Sequence, residues 1–152
     1  MKNSAIYKTK YGNYKIVEED NLLIEVTNTN DKVDTSNSSD FTDWVINEIN
    51  EYFMGKRKTF DIPYKLQGTS FQRKVYEDLA TIPYGQTRSY KDIANLIGYR
   101  KAYRAVGNAN NHNPIAIIIP CHRVIGSNGK LVGYASGLEL KEALLTLERG
   151  TK

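Results

Sequence analysis

The chain opens with apolar positions set for strands. Ile6, Tyr7, Tyr14, Ile16 and Val17 flank the turn signal Tyr11-Gly12-Asn13, and the run Leu22 to Val26 follows the polar stretch Glu18-Glu19-Asp20-Asn21. Strands over Ala5 to Thr27 are predicted. Asn28 to Asp40 is almost wholly polar and reads as a loop. Asp40 is then placed as the cap of a helix in which Phe41, Trp44, Val45, Ile49, Tyr52 and Phe53 recur at helical spacing, with Gly55 as its end. Lys56 to Gly68 is a basic, proline-containing connector.

The second half reads as helices. Thr69-Ser70-Phe71-Gln72 has the capping-box pattern, in which side chains satisfy orphan backbone groups of a first turn. Phe71, Val75, Leu79 and Ile82 line one face, and Pro83-Tyr84-Gly85 stops the helix. Ser89 to Asp92 is a second cap, with Ile93, Leu96 and Ile97 as the expected buried stripe and Gly98 as the stop. Ala102, Ala105, Val106 and Ala109 then fall at i, i+3, i+4 and i+7, so two short helices joined by a glycine turn predict a helix-turn-helix. Asn113-Pro114 leads into Ile115 to Pro120, expected as a buried extended segment that breaks at its proline. Ser127 to Lys130 is a turn and Tyr134 to Gly137 a loop. Ser136 is expected to cap a last helix with Leu140, Leu144 and Leu147 on its core face and Gly150 as its C-cap. The fold class is mixed α/β of the α+β kind, with a strand-rich domain over residues 1–67 and a helical domain over 68–152.

Charge changes this picture. Residues 1–67 hold 9 basic and 11 acidic residues, net −2; residues 68–152 hold 12 and 6, net +6. Ile93 to Leu138 contains no acidic residue but does contain Arg100, Lys101, Arg104, Arg123 and Lys130. Such a bias points to a polyanion, nucleic acid first. The longest apolar run, Ile115 to Pro120, is far short of the roughly 18 residues of a membrane span. The first thirty residues lack the apolar stretch of a secretory signal. A cytoplasmic protein without membrane contact is expected.

Cys121 is the sole cysteine and His112 and His122 are the only histidines, so neither a disulfide nor a structural metal site is expected. Cys121 follows the break at Pro120 and has His122 and Arg123 beside it, the electropositive setting that favours a thiolate. An exposed, ionised sulfur is the expectation. Glu148 sits in the last turn of its helix, where the macrodipole favours cations. A carboxylate there reads either as a surface charge beside Arg149 or as the acid of a Cys-His-Glu relay. Asn113, pushed toward an extended conformation by Pro114, is open to turn chemistry or to a bond with the thiolate. Two functions fit these residues by themselves: a helix-turn-helix regulator with a structural cysteine, and a cysteine hydrolase.

Ile118-Ile119-Pro120-Cys121-His122-Arg123-Val124-Ile125 resembles the active-site signature of the O6-alkylguanine-DNA alkyltransferases, the methylated-DNA–protein-cysteine methyltransferases. Phe71-Gln72, Ile82 to Gly85, Ser89-Tyr90, Arg104 to Gly107, Asn113-Pro114, Gly133-Tyr134 and Lys141-Glu142 fall in the family's order and spacing. The likeness is close over 68–150; residues 1–67 match the family's small ribonuclease-H-like domain in general layout. The resemblance implies a stoichiometric DNA repair reaction: a monomer binds duplex DNA through the minor groove and flips out an O6-alkylguanine. Cys121 accepts the alkyl group irreversibly, and whether O4-alkylthymine is also a substrate stays open. No cofactor is implied. The roles implied are Cys121 as acceptor, His122 as its base through a water, Glu148 as the acid holding His122, Asn113 as a brace, and Tyr90 as donor to the departing guanine. Val124, Tyr134, Ala135 and Ser136 would read the base with Tyr90. Arg104 would fill the gap in the helix, with Tyr90, Lys91, Tyr99, Lys101 and Ser127 as further DNA contacts. The chain departs from the family at Tyr103, where alanine is common, and at Ala116, where some members carry proline.

Overall fold

The computed structural model describes residues 1–99, 101–129, 131 and 133–150. Arg100, Lys130 and Val132, three positions of the basic half, lie outside the described residues. The chain divides into two compact units: Met1–Leu66 with Pro114–Ala116, and Gln67–Asn113 with the chain from Ile117 on.

The first unit is an antiparallel meander of β1 (Lys2–Thr9), β2 (Gly12–Glu19) and β3 (Leu22–Thr29), in that order across the sheet. Asp20 and Asn21 both take positive φ, the two-residue turn whose twist matches its flanking strands. Helix α1 (Asp40–Phe53) packs on β1 and β2, burying Val45, Ile49, Tyr52 and Phe53, with the Phe53 ring against that of Tyr14. Its cap is Ser39, not Asp40: the Ser39 hydroxyl accepts from the Thr42 amide, and the Thr42 hydroxyl accepts from the Ser39 amide. Both residues are capable caps, and the reciprocal bond to Thr42 decides between them. Segment Pro114–Ala116 pairs with β3, through Val26 N–H to the Pro114 carbonyl at 2.8 Å and Ala116 N–H to the Val26 carbonyl at 2.9 Å.

In the second unit, α2 (Ser70–Leu79) starts at Thr69 with Gln72 closing the capping box, and α3 (Tyr90–Ile97) starts at Ser89 with Asp92 doing the same. Helices this short are marginal alone, so packing sustains them. Val75, Leu79, Ile93, Ala94, Val106 and Ala109 are buried, each large side chain contributing about 1.5–3 kcal/mol. Gly98, at φ +94, ends α3, and α4 (Tyr103–Asn111) follows as the second helix of the predicted hairpin. Two stripe assignments change. Leu96 is 60% exposed, and the place of Ala105 in the core stripe of α4 goes to Asn110.

Two-residue strands β4 (Arg88–Ser89) and β5 (Val124–Ile125) pair in parallel. Helix α5 (Leu138–Gly150) begins two residues after Ser136 and runs through Gly150, so neither residue caps it as expected; the first-turn amide of Lys141 bonds the Gly137 carbonyl instead. The buried face of α5 is Lys141, Leu144, Leu145 and Glu148. The extended segment expected over Ile115–Pro120 is replaced by a tight reversal, with Ile117 at φ +72. Strand propensity of β-branched residues yields here to tertiary context. Among the described residues no helix is long and apolar enough to cross a membrane.

Candidate active site

Pro120, at φ −81 and ψ 65, turns the chain so that the Cys121 N–H donates to the Ile119 carbonyl at 2.8 Å. These are the dihedrals and the bond of an inverse γ-turn. A single 3-10 turn, Cys121–Arg123, follows. All three of its residues are buried, Cys121 being 4% exposed, which corrects the expectation of an exposed thiolate. The proline reverses the chain but leaves it in the core. Burial pushes the Cys121 thiol up from its ordinary value, opposed by a side-chain hydrogen bond from Asn113 and by the ammonium of Lys141. Asn113 also donates to the Ile119 carbonyl at 2.8 Å, and Asn110 donates to the Cys121 carbonyl at 3.3 Å.

Glu148 is buried, so the surface reading of this residue falls. Its two oxygens receive four donors. Oε1 accepts from the Gly85 amide at 3.1 Å and Arg123 Nε at 2.8 Å; Oε2 accepts from His122 Nε2 at 2.6 Å and Arg123 Nη2 at 3.0 Å. Arg123 spends its remaining nitrogen on the Ile82 carbonyl at 2.7 Å and lies 5.7 Å from the centre of the Tyr84 ring. A carboxylate shared between a guanidinium fork and an imidazole fixes the ring's orientation. With Nε2–H directed at Glu148, the neutral ring keeps Nδ1 as its acceptor. Burial lowers the His122 pKa, with Glu148 acting against it, and so favours the neutral, proton-accepting form.

Lys141 is fully buried and its pKa is lowered to about 8 by desolvation. Its Nζ donates to the Gly133 carbonyl at 3.3 Å and stands 5.9 Å from the Tyr90 ring centre. Tyr90, half-buried at the start of α3, donates its hydroxyl to the same carbonyl at 3.3 Å. Burial raises the tyrosine pKa, and the cysteine's negative charge adds to that shift. Gly133 has φ +56, and a Cβ there would stand 3.5 Å from the Tyr90 hydroxyl and 3.1 Å from Asn111. Gly107 on α4 would bring a Cβ to 3.7 Å from the Tyr90 ring.

The expected residues thus divide. Cys121 and Asn113 meet at the sulfur, His122 and Glu148 form one pair, and the charge of Cys121 acts on Tyr90. Val124 is buried and its N–H is taken by the Cys121 carbonyl. Tyr134 and Ser136 are partly buried and Ala135 is exposed in the loop before α5. Lys91, Tyr99, Lys101, Arg104 and Ser127 are exposed. Tyr103 is 38% exposed with the Lys91 ammonium 5.7 Å from its ring centre, turned toward the first helix of the hairpin. Sequence reasoning missed the structural part of Arg123 and the buried Lys141. The signal was present: Lys141, Leu144, Leu145 and Glu148 lie at i, i+3, i+4 and i+7, one helical face with a charge at each end. Among the described residues no three histidine, cysteine, aspartate or glutamate side chains group as a metal site.

Known proteins resemble this chain in sequence and in fold. The DNA-binding domain model of 6-O-methylguanine DNA methyltransferase matches residues 70–150, and the ribonuclease-like domain model of the same enzyme matches residues 4–66. A methylated-DNA--protein-cysteine methyltransferase of Methanosarcina mazei is 60% identical over 111 residues, covering 73% of this chain and 70% of that protein. The crystal structure of Mycobacterium tuberculosis O6-methylguanine methyltransferase superposes with a TM-score of 0.89 at 40% identity, covering all of this chain and 95% of that one. A structure of Mycobacterium tuberculosis OGT in complex with DNA superposes at 0.87 and 43% identity over 96% of this chain and 92% of that one. With both of its domain models matched in order along the sequence, the chain belongs to the 6-O-methylguanine DNA methyltransferase family.

Proposed function

We propose that this protein repairs DNA by direct reversal, Cys121 taking the alkyl group from O6-alkylguanine in a single irreversible transfer. The observation that carries the reading is the buried Glu148 carboxylate, which holds His122 in its proton-accepting tautomer next to the sole thiol of the chain. A relay is needed because burial keeps that thiol protonated at rest. His122 accepts the thiol proton, through a water, as the sulfur becomes nucleophilic, and Glu148 stabilises the imidazolium. The S–C bond forms as the C–O6 bond breaks, and the electron pair leaves with the guanine. Tyr90 supplies a hydrogen bond or proton to that ring, quenching its developing charge. The thiol proton ends on the guanine by way of the site, and a thioether remains. Having no leaving group to release, the thioether ends the protein's activity. One acceptor per chain completes the reaction without a second copy, which fits a monomer.

The partner is DNA. Arg104, exposed on α4, fills the vacancy of the flipped base in the minor groove. Lys91, Tyr99, Lys101 and Ser127 contact the backbone around it, and Tyr134, Ala135, Ser136 and the backbone near Val124 border the base. The decisive experiment is intact-mass measurement after mixing with an oligonucleotide that contains O6-methylguanine. The expected result is a gain of one methyl group per chain, absent in Cys121→Ala. Repeated turnover, or a gain that survives in that variant, refutes the acceptor role. Arg104→Ala is expected to weaken duplex binding about tenfold or more while the free O6-methylguanine base reacts at the wild-type rate. Equal losses on both substrates would refute the finger role.

A further inference from the structure

We infer that Ile117 is a positioning residue for the methyl transfer: its buried side chain holds a left-handed backbone that sets the turn presenting Cys121. The inference rests on Cys121 being the acceptor.

The described non-glycine residues with positive φ are Asp20, Asn21 and Ile117. The first two belong to a hairpin turn and are residue types that tolerate this region. Ile117 has neither excuse. A β-branched side chain at φ +72 crowds its own backbone, and the position is one where glycine would be free of strain. Such a conformation persists only where the surroundings over-determine it. Ile117 is 1% exposed and Ile119 fully buried, so the side chains are locked in the core.

The location gives the strain a use. Ile117 lies four residues before Cys121, and no strand or helix spans the interval. Two reversals in series aim the cysteine: the left-handed step at Ile117 and the inverse γ-turn at Pro120. Between them, the Ile119 carbonyl receives Asn113 Nδ2 and the Cys121 N–H, both at 2.8 Å. The second reversal is fixed by the proline ring. At the first, the buried isoleucine packs within the turn of residues 116–118; glycine would remove the strain and release the dihedral to either sign of φ. Ile117 therefore exchanges backbone comfort for a single direction of approach of the sulfur.

Four variants, Ile117→Val, Ile117→Leu, Ile117→Ala and Ile117→Gly, test this by three readouts: single-turnover methyl transfer from an O6-methylguanine duplex, melting temperature, and Kd for unmodified duplex. Valine keeps the β-branch and is expected within about twofold of the wild-type rate. Leucine keeps the volume without the branch and is expected several-fold slower. Glycine is expected to melt no lower than alanine, because it relieves the left-handed strain, yet to transfer at least tenfold more slowly than alanine. Kd stays at the wild-type value in all four. Glycine and alanine rates that coincide or follow the melting temperatures, or glycine melting below alanine, would overturn the inference. Should those two variants fail to fold, equal rates for leucine and valine would overturn it. A wild-type protein that gains no methyl group would instead defeat the assignment of Cys121.

Discussion

Glu148→Gln is expected to lower stability by about 3–5 kcal/mol, the cost of removing one partner from a buried ion pair, and to slow methyl transfer sharply. Glutamine matches the shape, but its amide nitrogen must face donors. On one carboxylate oxygen sit the Gly85 amide and Arg123 Nε; on the other sit His122 Nε2 and Arg123 Nη2. Either orientation of the amide puts an N–H against two others and leaves the buried guanidinium uncompensated. At roughly 2–4 °C per kcal/mol for a chain of this size, the melting temperature should fall by about 6–20 °C. The rate is then measured well below the transition, where lost folding cannot mimic lost chemistry. A rate constant unchanged across neutral pH would remove Glu148 from the relay and leave it a purely structural anchor. His122 adds a pH signature to the wild type. Its folded pKa lies below the ordinary histidine value, so the unfolded chain binds the proton first as pH falls. The stabilisation is complete above the ordinary value and is lost as pH drops toward the folded one. Denaturant midpoints that stay level through that window would contradict a buried neutral imidazole.

Lys141→Met is expected to make the protein more stable and less active. The ammonium is fully buried with its pKa lowered to about 8, so below that pH the folded state carries a charge it would rather release. An apolar side chain of similar length removes the penalty. The same charge is one of the forces pulling the Cys121 thiol down, and the thiolate reciprocally raises the lysine. Without it the thiol rises further and the transfer rate at neutral pH should drop at least tenfold, consistent with losing one fixed positive group beside a developing charge. The rising limb of the pH–rate profile should move to higher pH. In the wild type, the lysine discharges as pH passes about 8, so its help fades as alkali begins to ionise the sulfur directly. A variant that melts lower, or whose pH–rate profile coincides with that of the wild type, would exclude this role.

Local rules made much of this molecule legible. The capping boxes at Thr69 and Ser89 were visible because their partners, Gln72 and Asp92, lie three residues away. The helix-turn-helix and the first strands followed from periodicity and from turns at Gly98 and Tyr11-Gly12-Asn13. What failed was decided at a distance. Ser39 and Asp40 are both good caps, and the Ser39 hydroxyl also donates to Glu18, twenty-one positions away in sequence. Five consecutive aliphatic or alanine residues looked like a strand, yet only Ile115 and its flanking residues pair with β3 before the chain turns. The site divides in the same manner. Cysteine, histidine and glutamate were named from chemistry, but the burial of the sulfur was not, because a proline break indicates where a regular element stops and not whether the next residue meets water. The involvement of Arg123 and Lys141 required knowing which way each side chain turns once the helix is docked.

The Gly133 carbonyl has one further consequence. It accepts from both the Tyr90 hydroxyl and the Lys141 ammonium, each at 3.3 Å. Bonds that long are at the weak end of the range, and a neutral one nets only about 0.5–1.5 kcal/mol even when well formed. The tyrosine's bond is the cheaper of the two to give up, since a hydrogen bond from a charged group nets about 1.5–3 kcal/mol. Neither bond reads an alkyl group, so discrimination between damaged and intact purines falls on other steps, the extrusion from the stack and the presence of a carbon that sulfur can attack.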